Sequence, residues 1–390
     1  MGVKQKTATA NIAAVEATNG ASAKAAAPVP VSRSGHDAPD TAVTDWALGP
    51  GSITWKVMKD PTVFIVGLLR EAMLLTLHPA FAAAAVDHDS FNDDPVGRFK
   101  HVAWYTYAAT YGSKDDAEYV SAIVRNRHVT IVGSEPLTGL PYRADSEYEL
   151  ALTQAMLSAS FLATYELLYG DLPTPQRDQF FREQRVPAAL LGTNPDHLPT
   201  TYGQMVDYIG HARCRFATGL QAREILSPFA DGGYPSGTVL GDLPPGLRQV
   251  AMYVLRTFAD MAMLTMCWEE RELISINRRP KLGSRWTTRK ALQLLSTWFT
   301  SEQGLSVFEK FLGERIGGIY RRGLAADAAP GGRTRVAQFV VPEPGPCLVE
   351  LDDLVRNWPG SVDKYALGAE RVDETLAPVA PVLRSTTRSS

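Results

Sequence analysis

Apolar residues recur with a helical period through most of this chain, and proline, glycine and capping residues separate the periodic runs. Asp60-Pro61 joins an N-cap to a proline at the first helical position, which predicts a helix start. The run behind it should break at Pro79, which has no amide hydrogen to donate. Asp94-Pro95 repeats that start and predicts a helix running toward Gly112. Ser113 and Asp116 have capping-box spacing and open a helix expected to end near Gly133; Ser146 and Glu149 form a second box, ahead of a long apolar run that stops at Gly170. Helical periods follow over 175–191, 202–224, 246–276 and 286–320, and one strand-like piece stands at 338–341. The pattern predicts an all-α protein built as a single large helical domain with a few short strands.

Composition sets the limits of that domain. Before Trp46 there is no Leu, Phe, Tyr or Trp, so residues 1–45 cannot bury enough apolar surface to offset their ordering entropy and are expected to be a disordered tail. Residues 46–322 are the predicted helical domain. After about Gly323 the chain turns to Ala, Gly and Pro, and 323–390 is expected to be an irregular extension. With 39 basic and 42 acidic side chains the net charge of −3 gives no electrostatic case for a nucleic-acid partner. Cys214, Cys267 and Cys347 form no CxxC pair, which excludes a disulfide framework and a thiolate zinc site. The N-terminus carries no apolar secretory run, and a cytoplasmic location is expected. The most apolar stretch, 63–77, is interrupted by Arg70 and Glu71 and falls short of the about 18 apolar residues of a membrane span; it predicts a buried helix.

HExxH, the di-iron ExxH, the P-loop, GxGxxG and GxSxG are all missing from the sequence. What remains is a concentration of cations and imidazoles in otherwise apolar helices: Arg70, His78, His88, Arg98, His101, Arg125 and His128. His128 follows Val120 and Val124 at i+4 steps, on the face expected to point inward, where a lone histidine is more often a core residue than a ligand. Arg98, His101, Val102 and Tyr105 share a stripe on the preceding helix, and a short turn at Gly112-Ser113 would fold that helix back so that Arg98 and His101 face the same cavity as His128. Arg70 requires a carboxylate, either from the protein or from a ligand. At the His78-Pro79 break, a freed carbonyl and an imidazole either line a pocket or satisfy one another. Such a set suits an iron porphyrin, whose iron takes a neutral imidazole and whose propionates take arginines.

The runs GPGSITWKVMKDP, REAMLLTLHPAFAAAAVDHDSFNDDPVGR, VRNRHVTIVG and GLPYRADSEYELALTQAMLSASFLATYELLYG resemble, in order, the catalytic domain shared by bacterial latex-clearing rubber oxygenases and mycophenolic-acid pathway oxygenases. The resemblance is strong over 46–225 and fades toward 320. It implies a helical fold distantly related to the globins, haem b as cofactor, and dioxygen chemistry on an apolar, isoprenoid or polyene, substrate. By motif position it implies His128 as the iron ligand and Arg98 as an arginine beside the haem; Arg70, His78 and His88 fit the pattern without an assigned chemical role and are carried as pocket or packing residues, Arg70 and His78 as candidates to hold the cofactor. Where the family has a basic residue and a threonine after that arginine, this chain has His101 and Val102, so His101 is either a second iron ligand or a hydrogen-bond donor to oxygen. Where the family often has Trp-Val-His, this chain has Leu152-Thr153-Gln154. The competing expectation is a non-catalytic protein that binds or senses haem or lipid.

Overall fold

The computed structural model describes residues 46–88, 95–136, 138–231, 241–274 and 285–329. The expected tail at 1–45, the strand-like piece at 338–341 and nearly all of the C-terminal extension lie outside the described residues. The described chain is all-α apart from one small hairpin. Helix α1 (Ile53–Met58) is capped by Ser52, whose Oγ accepts from the Trp55 amide. Helix α2 (Pro61–Leu75) starts as the Asp-Pro pair requires: Asp60 accepts from the Thr62 amide at 2.8 Å and Pro61 takes the position that needs no donor. The break before Pro79 turns the chain by 105° into α3 (Pro79–His88).

Helix α4 (Pro95–Tyr111) and helix α5 (Lys114–His128) are joined at Gly112-Ser113 and pack along each other. The Ser113–Asp116 capping box forms in both directions. Helix α5 stops at His128, short of the Gly133 expected from the sequence. The β-branched run Val129-Thr130-Ile131-Val132 favours extended backbone, and the chain passes into strand β1 (Val132–Ser134), antiparallel to β2 (Pro141–Arg143) with Val132 opposite Arg143. Helix α6 (Glu147–Tyr169) follows its Ser146 cap and ends at Gly170, where φ is +91°.

Four expected helices are each divided, for reasons that lie partly outside the local pattern. The 175–191 run becomes α7 (Thr174–Glu183) and α8 (Arg185–Leu190), since Pro187 cannot donate to the Glu183 carbonyl. The 202–224 run becomes α9 (Tyr202–Arg213) and α10 (Leu220–Asp231), because the Ala217 amide donates at 2.7 Å to the Leu77 carbonyl freed at the α2–α3 break. The third run divides into α11 (Pro245–Leu264) and α12 (Trp268–Ile274), with Glu270 accepting from the Cys267 amide at the junction. The last divides into α13 (Arg285–Phe299), α14 (Glu302–Leu312) and α15 (Glu314–Ala328), punctuated by the Ser301 cap and by Gly313. Helix α15 runs through Arg322 to Ala328 and is tied to the body by a 3.0 Å Lys59–Asp327 ion pair.

Helix α2 is the axis of the core. Twelve of its fifteen residues are buried, Arg70 and Glu71 among them, and it packs on α6, α11 and α13. Its contact with α6 is close because of Gly67: a Cβ there would lie 2.6 Å from a ring carbon of Phe161 and 3.2 Å from the Phe161 Cα. A second apolar layer runs through Trp55, Tyr107, Tyr111 and Tyr320, all fully buried and in edge or tilted ring contact. Among the described residues no single helix is long and apolar enough to cross a membrane. The α2–α3 pair passes on length and composition only, and α2 is the core helix.

Candidate active site

The α4–α5 hairpin brings the start of one helix to the end of the other, so the Arg98 charge acts on His128. Arg98 is exposed, while His128 is half-buried with its Nδ1 fully enclosed and without a hydrogen-bond partner. Burial, reinforced by the Arg98 cation, pushes the His128 pKa down to about 4, so the imidazole is neutral at physiological pH. Asp145, gripped by Arg143 through two 2.6 Å bonds, partly opposes that shift.

Arg98 also acts on Glu71, a residue the sequence pattern marks only as an interruption of an apolar run. Glu71 is buried on α2, and burial raises its carboxyl to about 8 although Arg98 pulls the other way. The three elements therefore assemble a neutral imidazole, a guanidinium and a carboxyl that holds its proton at neutral pH. Perturbed groups of this kind on different helices make this a candidate functional site.

A second cluster adjoins the first through Asp145, whose charge acts on both His128 and Glu149. Burial raises Glu149 to about 7. His78, at the helix break, is buried with both ring nitrogens unpartnered and lies edge-on to Phe81 and tilted against Tyr148. Burial first and then the Arg215 cation lower its pKa to about 4. Arg215 stacks on the Tyr148 ring at 4.7 Å. The freed carbonyl and the imidazole thus do not satisfy each other: Leu77 is taken by Ala217, and His78 is left facing no protein donor or acceptor. Two unpaired nitrogens on one buried ring are a costly arrangement, and they mark a place where a ligand or water group would be held.

The remaining predicted residues are placed differently. Arg70 has protein partners, the Ser160 hydroxyl at 2.8 Å and the Glu270 carboxylate at 3.8 Å, and Glu270 also pairs with Arg213; of the two expected sources for its carboxylate, the structure supplies the protein one. His88 bonds the Val132 carbonyl at 2.8 Å and pins the hairpin. Arg125 donates to the Leu190 carbonyl and pairs with Glu118 at 2.7 Å. His101 is exposed one turn after Arg98; the stripe they share enters the body only from Val102 and Tyr105 onward. Gln154, at the position where the family often has histidine, is buried in a polar network: it donates to Gln184 at 3.1 Å, Gln184 donates to Thr54, and Thr54 donates to Glu183. Beside it lies a cavity of about 10 Å³, room for one water, lined also by Thr106, whose buried hydroxyl has no partner.

Among the described residues no group of three or more His, Cys, Asp or Glu is arranged to hold a bare metal ion. Compared with known families, residues 55–301 match the model of the ER-bound oxygenase mpaB/B′ and rubber oxygenase catalytic domain. The chain belongs to this family. Neither a curated protein nor a solved structure matches it. As a member of an oxygenase family it is an oxidoreductase, and the matched span runs from α1 to the end of α13, taking in the Glu71–Arg98–His128 group and the His78 cluster together.

Proposed function

We propose that this mpaB/rubber oxygenase family member is a haem b-dependent oxygenase that uses dioxygen on an apolar, isoprenoid or polyene, substrate. The observation that carries the reading is His128: a neutral imidazole with an enclosed, unpartnered ring nitrogen, beside a guanidinium, in an oxygenase-family fold. The donor chemistry fits the group. A porphyrin brings four of its own nitrogens and needs one neutral imidazole from the protein, and the described residues offer single imidazoles rather than a metal cage. Haem, when bound, supplies activation of dioxygen.

The side chains of the chain itself supply the rest. His128 stays unprotonated down to about pH 4, so its lone pair is available to a metal throughout the neutral range. Arg98 brings a positive charge that acts on His128 from the start of α4, suited to a carboxylate of the cofactor or to negative charge that develops during the reaction. Glu71 keeps a proton on its carboxyl until about pH 8 and serves as a local proton donor. The apolar substrate class is supported by the rubber oxygenases within the family description, rubber being a hydrocarbon polymer.

The test is an absorbance spectrum and a pyridine haemochrome assay on protein expressed with haem precursor, followed by oxygen uptake with a polyene. A Soret band and haem b are expected in the wild type. His128→Ala should lose them, while His101→Ala, at an exposed position, should keep the resting spectrum. Wild-type protein without a Soret band after reconstitution, or a His128→Ala variant with an unaltered spectrum, overturns the reading.

A further inference from the structure

The first half of α11 stands away from the body: every residue from 244 to 250 is exposed. Its apolar positions do not follow the usual inward rule. Leu247, Val250, Tyr253 and Val254 share one side of the helix, with Leu247 and Val250 each 61% exposed and Tyr253 74% exposed. Helix α13 lies beside α11, both of them packed on α2. It presents an outward stripe at i+4 steps: Trp286, Lys290, Leu294 and Trp298, with Trp286 66% and Leu294 74% exposed. Exposed apolar side chains gathered on two neighbouring helices mark an interaction surface rather than ordinary scatter.

The charge on these helices identifies the kind of partner. Helices α11 and α13 carry exposed Arg248, Arg289 and Lys290, and their one acidic residue, Asp260, is buried. A chain of net charge −3 thus presents a cationic, tryptophan-bearing face here. A two-fold dimer through this face would set cation against cation, because both copies contribute the same patch. A surface in which Arg248, Arg289 and Lys290 lie among exposed Trp, Tyr, Leu and Val side chains is instead matched to the plane between lipid headgroups and acyl chains.

We propose that α11 and α13 form a docking surface for a lipid bilayer carrying anionic headgroups. The inference rests on exposed residues of these two helices and does not depend on what the buried site binds.

The test is cosedimentation of the full chain with vesicles of phosphatidylcholine, with and without phosphatidylglycerol, together with tryptophan emission. Binding to the phosphatidylglycerol vesicles, a blue shift and weakening by salt are expected. The double variant Leu294→Ser/Trp298→Ser should bind about 10-fold or more weakly through lost apolar burial. Arg289→Glu/Lys290→Glu should remove the preference for phosphatidylglycerol. Both pairs are exposed, so unchanged melting temperatures separate loss of docking from loss of fold. Absence of vesicle binding by the wild type, or variants that bind as well as it does, overturns the proposal. So does a concentration-dependent dimer, abolished by these variants, in a protein that ignores vesicles: the face is then an interface between copies.

Discussion

Replacing Glu71 by Gln exchanges a titratable carboxyl for a neutral amide of nearly the same shape. In the unfolded chain this carboxyl titrates near 4.5, and in the folded protein near 8, because α2 buries it and the Arg98 charge only partly compensates. The native state therefore holds the proton more tightly. The associated stability is present in full below pH 4.5 and is lost as the pH rises through 8. Over the whole range the difference is worth roughly 5 kcal/mol, and between pH 5 and pH 9 roughly 4 kcal/mol, at 1.36 kcal/mol for each pH unit between the two values. His78, His128 and Glu149 titrate in overlapping windows. Their contributions cancel when wild type and Glu71→Gln are compared at each pH. Urea unfolding of both proteins at unit intervals from pH 5 to pH 9 should show nearly equal stability at the acid end and a growing advantage for Glu71→Gln toward the alkaline end, reaching several kcal/mol. A difference that does not change with pH would mean that Glu71 is ionised in the native protein and held by Arg98 as an ordinary ion pair, and the assignment of a proton to this carboxyl at neutral pH would fall.

Two further outcomes follow from packing and burial. Gly67→Ala should destabilise the protein by about 1–2 kcal/mol, since the contact with Phe161 outweighs the better helix propensity of alanine; partial recovery in Gly67→Ala/Phe161→Leu, measured by thermal melting, checks that the ring is the obstacle. His78→Leu should raise stability at pH 7 by about 1–3 kcal/mol by removing two unpartnered buried nitrogens. That gain should widen as the pH falls from 6.5 toward 4, where the unfolded wild type takes up a proton on His78 that the native state does not, and a loss of stability instead would show that a bound group satisfies those nitrogens in solution.

Features encoded within a few residues were legible in the sequence. The starts at Pro61 and Pro95, the boxes at Ser113 and Ser146 and the stop at Gly170 all depend on one turn of chain, and each helix begins or ends where those residues require. The approach of Arg98 to His128 was legible as well, because two helices joined by a two-residue turn must run back along each other. The division of 202–224 was not, since it depends on a carbonyl at Leu77, far away in the chain. Nor was the surplus of His78: nothing near it in sequence shows that Ala217 takes the carbonyl beside it. Glu71 and Arg70 look alike as polar interruptions of an apolar run. Packing against different neighbours gives the arginine a carboxylate in Glu270 and leaves the glutamate to be protonated by burial. The exposure of His101 was hidden because periodicity records which residues share a side of a helix, not where along its length that side meets the body.

Helix α6 is buried around nearly its whole circumference, so its apolar residues do not specify which way it should face. Its few polar side chains do. Gln154 and Ser158 reach Gln184 on one side, and Ser160 accepts from Arg70 on another. These points act as a keyway that sets the rotation of α6 about its own axis, and with it the seating of the Phe161 ring against Gly67. Replacing them together by apolar residues of similar size would keep the volume of the core and remove the instruction, leaving a helix free to settle in several orientations and the groups that converge from α2, α4 and α5 without a fixed wall to face.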